Sequence, residues 1–254
     1  MTERVLVSPS ELFGDGVFET IHLRPSGPWL LGAHLDRLAR SAALLDLDLP
    51  PRPVIEERIA AAADGFAEPE GALRIIRTRE SLHVTVSAIP ETVRRERREG
   101  IRLITADLGY AIGGRPPWSL SAAKSLSYAG NFAARRWATR QGADDLLWLS
   151  TEGYALEAPT ASLVWLTGDT LCTVPAAEAQ ILPGTTAAHL LAVAPELGLH
   201  PAERMVTQEE LSSADGIWLA SALRGLAEAT SLNNTPRPRS PWTIRLQTHL
   251  GFLA

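Results

Sequence analysis

Cysteine is almost absent from this chain of 254 residues. The one thiol, Cys172, cannot close an intramolecular disulfide, and no CxxC or Cys/His pair stands at metal-ligand spacing. The histidines His22, His34, His83, His189, His200 and His249 are scattered, with no Ser or Cys nucleophile beside them in a local motif. Each reads as structural, and no metal is expected. A basic excess is missing too: 24 Lys and Arg against 29 Asp and Glu leave a net charge of -5, which gives a nucleic-acid backbone no footprint. The run from Arg94 to Arg98 is interrupted by Glu96 and reads as the end of a surface helix. Apolar runs of about eighteen residues, enough to span a bilayer, do not occur, and the opening MTERVLVSPSELFG has neither an apolar core nor a cleavage site. The expectation is a protein of a reducing, cytoplasmic compartment, with neither membrane nor nucleic acid among its partners.

What is present suffices for a sizeable core: 45% of residues are hydrophobic, over a length that suits one large or two modest domains. DGVFETIHLR at 15–24 opens on a turn signal and continues through β-branched and aromatic residues, as a strand does. From Gly32 onward, Leu35, Leu38, Ala42 and Leu45 recur at helical spacing, with Asp36, Arg37 and Arg40 off the stripe and Pro50 and Pro51 beyond. A second helix over IEERIAAAADGFA, two strands over ALRIIRTR and LHVTVSAI, and a strand over IRLITADL follow. GYAIGGRPPWS is dense in Gly and Pro and reads as an interdomain connection. This places a smaller domain at 1–112, a loop at 113–119 and a larger domain at 120–254. The second half reads as a helix from about Tyr128 to Gln141, strands at DLLWLS, YALEAP, SLVWLT and TLCTV, a helix after LPGTT, and a strand at GIWLASAL. The fold class is α/β of the α+β kind, two domains with mixed sheets and no internal repeat.

Lys124, in SAAKSLSYAGN, stands amid small and apolar neighbours. A desolvated amine loses proton affinity and becomes a nucleophile, although a lysine taken alone is more often a solvated residue at a helix start. Its context is an ordered set of segments: FGDGVFET, HLDRLARSA, ALRIIRTR, AKSLSYAGN, ADDLLWLSTEGYALEAPTAS and ILPGTT. From Phe13 to about Ala229 these resemble class IV (fold-type IV) aminotransferases, a group that includes branched-chain and D-amino acid aminotransferases and aminodeoxychorismate lyases.

The resemblance implies pyridoxal 5'-phosphate, placed between the two domains and held as a Schiff base on Lys124. Arg37 matches the arginine that binds the cofactor phosphate, a planar fork suited to an oxyanion; read alone it is a surface helix residue paired to Asp36 or Glu57. Gly184, Thr185 and Thr186 match a second phosphate anchor at a loop-to-helix turn, where Thr185 or Thr186 is otherwise an ordinary N-cap. Glu157 matches the glutamate that keeps the pyridine nitrogen protonated, while Glu152 reads as a turn residue. Arg74 stands where relatives keep a basic residue for a substrate carboxylate. Arg77 and Arg79 follow on the same strand, where solvent-facing alternation is the commoner fate of charged residues.

The chain departs from the family pattern at Ala158, where a glycine is usual, and at Ala161 and Ser162, in place of a Ser-Asn pair. Ser221 is followed by Ala222 where a threonine is usual, leaving Ser221 as a phosphate contact. The segment before GDGVFET is shorter than in relatives by roughly one strand or hairpin. The resemblance also implies a homodimer and a small-molecule substrate bearing one or more carboxylates, with the loop around Arg115 suited to one of them. The blocks are most similar to aminodeoxychorismate lyases, which release pyruvate to leave 4-aminobenzoate for folate. Amino transfer with D-amino or branched-chain L-amino acids is the alternative, and a cofactor-free relative is a third reading.

Overall fold

The computed structural model describes residues 8–252; most of the segment before GDGVFET, MTERVLV, lies outside them. The chain divides into two compact units, one of residues 1–89 with 123–129, the other of 90–122 with 130–254.

In the first unit a short helix α1 (Pro9–Phe13) precedes strand β1 (Gly16–Arg24), a two-residue β2 (Gly27–Pro28), helices α2 (Leu31–Leu44) and α3 (Arg52–Ala63), and strands β3 (Gly71–Thr78) and β4 (Leu82–Ala88). The sheet runs β2-β1-β3-β4 and is antiparallel throughout. Alternation along β1 and β3 sends Val17, Ile21, Leu23, Leu73 and Ile75 to one face. There they pack on Leu35, Leu38 and Ala42 of α2 and on Ile55 and Ile59 of α3. The opposite face carries Phe18, Thr20, Arg74 and Ile76, which pair across strands as Phe18 with Ile76 and Thr20 with Arg74, and all four are half-buried.

The second unit holds α4 (Glu91–Glu99), β5 (Ile101–Asp107), α5 (Ala129–Arg140), β6 (Asp145–Leu149), β7 (Glu157–Ala158), β8 (Ala161–Thr167), β9 (Thr170–Thr173), α6 (Ala176–Ala179), α7 (Thr185–Val193), β10 (His200–Glu203), α8 (Gln208–Ser212), β11 (Gly216–Ser221), β12 (Gly225–Leu232), β13 (Thr235–Pro236) and α9 (Trp242–His249). Its mixed sheet has nine strands along the path β10-β9-β8-β11-β12-β5-β6, with β7 on β8 and β13 on β12. β5 runs parallel to β6 and to β12, a pairing that needs a crossover, here through α5. The core gathers Trp165, Leu163, Ile217, Leu219, Ala227 and Leu147, all essentially without solvent exposure. Trp218 is equally buried and donates its indole N–H to Thr243 Oγ1 at 2.8 Å, which satisfies its one polar atom.

The Arg94–Arg98 run is not wholly at the surface. Glu96 and Arg97 are buried, and Arg97 lies over the Phe252 ring at 4.7 Å. Glu96 belongs to an ion cluster around Arg224, whose Nε is 2.8 Å from Glu96 Oε2 and whose Nη2 is 2.9 Å from Asp145 Oδ2. Arg135 flanks both carboxylates at 3.4 and 3.6 Å. Arg224 closes the turn between β11 and β12, so the cluster fixes the end of that turn. Arg224→Ala leaves two buried carboxylates with only Arg135 between them, and denaturant unfolding should show a loss of about 3–5 kcal/mol. Among the described residues no helix is long and apolar enough to cross a membrane.

Candidate active site

Residues 123–126 run beside the start of β1. Phe18 N donates to Lys124 O at 2.9 Å and Leu126 N to Gly16 O at 2.8 Å, with an antiparallel bridge between Val17 and Ser125. Lys124 N donates to Ser41 Oγ of α2 at 3.0 Å. The approach is close because position 16 is glycine: a Cβ there would meet Arg77 O at 2.6 Å and Leu126 Cδ1 at 2.7 Å. The lysine is therefore held by strand geometry. Its Nζ lies 4.4 Å from the Phe18 ring centroid and 5.3 Å from that of Tyr128, with Tyr128 Oη at 3.3 Å. The two rings meet edge to face at 4.9 Å. Ring faces and one hydroxyl thus stand in for part of the water that a half-buried amine has lost.

Arg37 is buried, unlike the surface residue that the helix pattern alone allows. It pairs with neither Asp36 nor Glu57. Its Nε and Nη2 donate to the two carboxylate oxygens of Glu19 at 2.7 and 2.8 Å, while Asp36 pairs with Arg52. The His34 Nδ1 lies 2.7 Å from Glu19 Oε2. Burial alone would raise the Glu19 carboxyl, but the charge and hydrogen bonds of Arg37, with those of His34, bring it down to about 2. His34 is pushed down by burial, against the pull of Glu19 and with the charges of Arg37 and Lys124 adding to the depression. Arg74, on the sheet face that carries Phe18, donates to Ser87 Oγ at 2.9 Å. Arg77 points to the other face and reaches Asp48 O at 2.8 Å; Arg79 binds Asp15 at 2.6 Å.

In the second unit the residues converge on Ser162. It pairs across strands with Glu157 and, on its other side, with Ala220, next to Ser221. A Cβ on Gly184 would meet its Oγ at 2.0 Å, so only glycine lets the start of α7 come this near. Gly184 is the N-cap and no side chain caps the helix; neither Thr185 nor Thr186 does so. The buried Thr186 Oγ1 has no hydrogen-bond partner. Leu182 N reaches Glu157 Oε1 at 3.4 Å, and Asn131 Nδ2 holds Pro159 O at 2.6 Å. A helix start without a side-chain cap and a buried hydroxyl awaiting a partner together suit a phosphate, and Glu157 beside them suits a protonated ring nitrogen.

Phe18, Tyr128, Ser41, Glu19 and His34 are the site residues that sequence reasoning passes over, although all five fall within the segments that carry the family resemblance. Glu19 looks like one more polar residue of an alternating strand, and only its pairing with Arg37 shows what it does.

Acid should destabilise this cluster in two stages. A base whose pKa falls on folding is held neutral, so the His34 contribution is complete above its ordinary value of 6.5 and declines as pH drops below it. Glu19, also lowered, adds its loss further down, between 4.5 and about 2. His34→Asn, which keeps a donor for Glu19, should flatten the upper stage and spare the lower one in melting temperatures followed against pH.

Residues 16–232 match the family model for amino-transferase class IV. A bifunctional aminodeoxychorismate lyase / D-amino acid transaminase of Mycobacterium tuberculosis is 37% identical over 90% of this chain and 85% of its own length. The structure of a hypothetical aminotransferase from Mycobacterium tuberculosis in PLP-bound form superposes with a TM-score of 0.93 at 35% identity, covering 99% of this chain and 94% of that one. A fold IV-transaminase from Curtobacterium pusillum does so with a TM-score of 0.89 at 36% identity, covering 98% and 88%. With the fold-type IV architecture on both counts, the chain belongs to the class IV aminotransferase family.

Proposed function

We propose that the protein is a pyridoxal-phosphate enzyme that releases pyruvate from 4-amino-4-deoxychorismate to leave 4-aminobenzoate, with transamination of D-amino acids as the second reading. The observation that carries it is the Lys124 amine, pinned to β1 and enclosed by Phe18 and Tyr128, in a chain of this family. The second reading is favoured by the bifunctional name of the Mycobacterium tuberculosis relative.

When bound, the cofactor supplies an electron sink for bonds at the substrate's α-carbon. Lys124 would hold it covalently, and its Nζ would serve as the base that takes a proton at that carbon and returns it; the point of return separates lyase from transaminase. Tyr128 Oη orients Nζ. Glu157 would accept a hydrogen bond from the pyridine nitrogen and keep it protonated. Arg37, its plane set by Glu19, and the N–H groups and hydroxyls at Gly184, Thr185 and Thr186 bind the phosphate, with Ser221 beside them. Arg74 takes a substrate carboxylate. The exposed Phe132 and Trp137 of α5 are surfaces that the homodimer of this reading would cover, and the compartment of this reading is the cytoplasm.

Purified protein with added pyridoxal phosphate should show an absorbance band that borohydride fixes onto Lys124 and that Lys124→Ala lacks. The lyase reading then requires pyruvate and 4-aminobenzoate in equal amounts from aminodeoxychorismate; a failure there alongside turnover of D-alanine leaves the transaminase reading in place. Gly184→Ala should weaken cofactor affinity at least about ten-fold, an amount equal to about 1.4 kcal/mol, and the added Ser162→Ala change should restore part of it by removing the Oγ that blocks the new Cβ.

A further inference from the structure

β7 pairs with β8 through only two positions, Glu157 with Ser162 and Ala158 with Ala161, and Pro159 and Thr160 close the hairpin. The turns that suit the twist of a two-residue hairpin loop need a positive φ at its first residue. Proline is fixed at a negative φ, and neither Pro159 nor Thr160 has a positive one. Two paired positions and an unfavoured turn give β7 little stability of its own. Its entry is held, since Leu156 N donates to Trp148 O of β6 at 2.9 Å. Its turn is buried at Pro159, and there Asn131 Nδ2 donates to Pro159 O at 2.6 Å. Asn131 stands on a firm base in the first turn of α5, with Arg135 and Ala138 following on the same face. Ala138 is buried beside Ile104, Ala143 and Leu146, and Arg135 flanks Glu96 and Asp145. Asparagine is a poorer helix former than alanine, so the benefit of Asn131 lies at Pro159 and not in α5.

We propose that Asn131 is a positioning residue for Glu157: by holding the Pro159 carbonyl it fixes the hairpin from which the Glu157 carboxylate reaches the pyridine nitrogen. The proposal rests on the reading that Glu157 keeps that nitrogen protonated. A charge-assisted hydrogen bond is short and directional, so a carboxylate displaced by about half an ångström or more no longer holds the proton as tightly.

Protein loaded with pyridoxal phosphate that carries a heavy-nitrogen label in its ring tests this, because the ring-nitrogen resonance, followed by NMR against pH, reports its protonation directly. Asn131→Ala, and the isosteric Asn131→Asp, which cannot donate when ionised, should lower the proton affinity of that nitrogen about ten-fold, the equivalent of roughly one net hydrogen bond. Glu157→Gln should lower it further. Pro159→Asn with Thr160→Gly, which supplies a favoured turn, should recover part of the loss when added to Asn131→Ala. A nitrogen that titrates as in the wild type in both Asn131 variants, while Glu157→Gln shifts it, overturns the proposal and leaves the Glu157 reading standing. That holds even where the melting temperature of those variants falls, which marks a merely structural bond. A loss that the Asn-Gly turn does not recover also overturns the proposal, since the turn is then not its cause. A nitrogen unmoved by Glu157→Gln removes the Glu157 reading and the proposal with it.

Discussion

A carboxylate with no solvent exposure stays ionised only if the protein supplies what water would, and Glu19 obtains this from Arg37 and His34. The arrangement of the first unit's chemistry depends on that exchange. It joins β1 to α2 through charge as well as through the apolar contacts of Val17, Ile21, Leu35 and Leu38. It also holds the guanidinium plane of Arg37 in one orientation. The same helix supplies Ser41 to the Lys124 backbone, so one β1–α2 pair positions both the Arg37 guanidinium and the Lys124 backbone.

The second unit solves a different problem, the close approach of backbone to backbone. Ser162 lies between Glu157 and Ala220 in the sheet and against Gly184 at the start of α7. Glu157 pairs with Ser162 across the strands, and the buried hydroxyl of Thr186 is left without a partner. Behind the junction, the buried cluster of Arg224, Glu96 and Asp145 anchors the turn that follows Ser221. The first unit thus fixes its polar groups by charge, and the second by tight backbone packing.

Much of this was readable in the chain itself. The helix over α2 follows from Leu35, Leu38 and Ala42 at helical spacing, and the strands β1, β3, β4, β6 and β8 from their β-branched and aromatic runs. Less readable were short or doubly buried elements. YALEAP contributes only the two residues of β7, and β12, GLAEATSL, is buried on both faces for most of its length, so alternation gives no signal. Composition, lack of repeats and motif order by themselves determined the family and the α/β class, because periodicity and motif order are local or linear properties. Only the tertiary structure decided that β5 pairs with β12 and β6, that Arg37 is buried on Glu19, that Lys124 continues the sheet beside β1, and that Ser162 joins Glu157 to Gly184. Those are contacts between residues far apart in sequence, whose energies depend on burial and distance that no local pattern encodes.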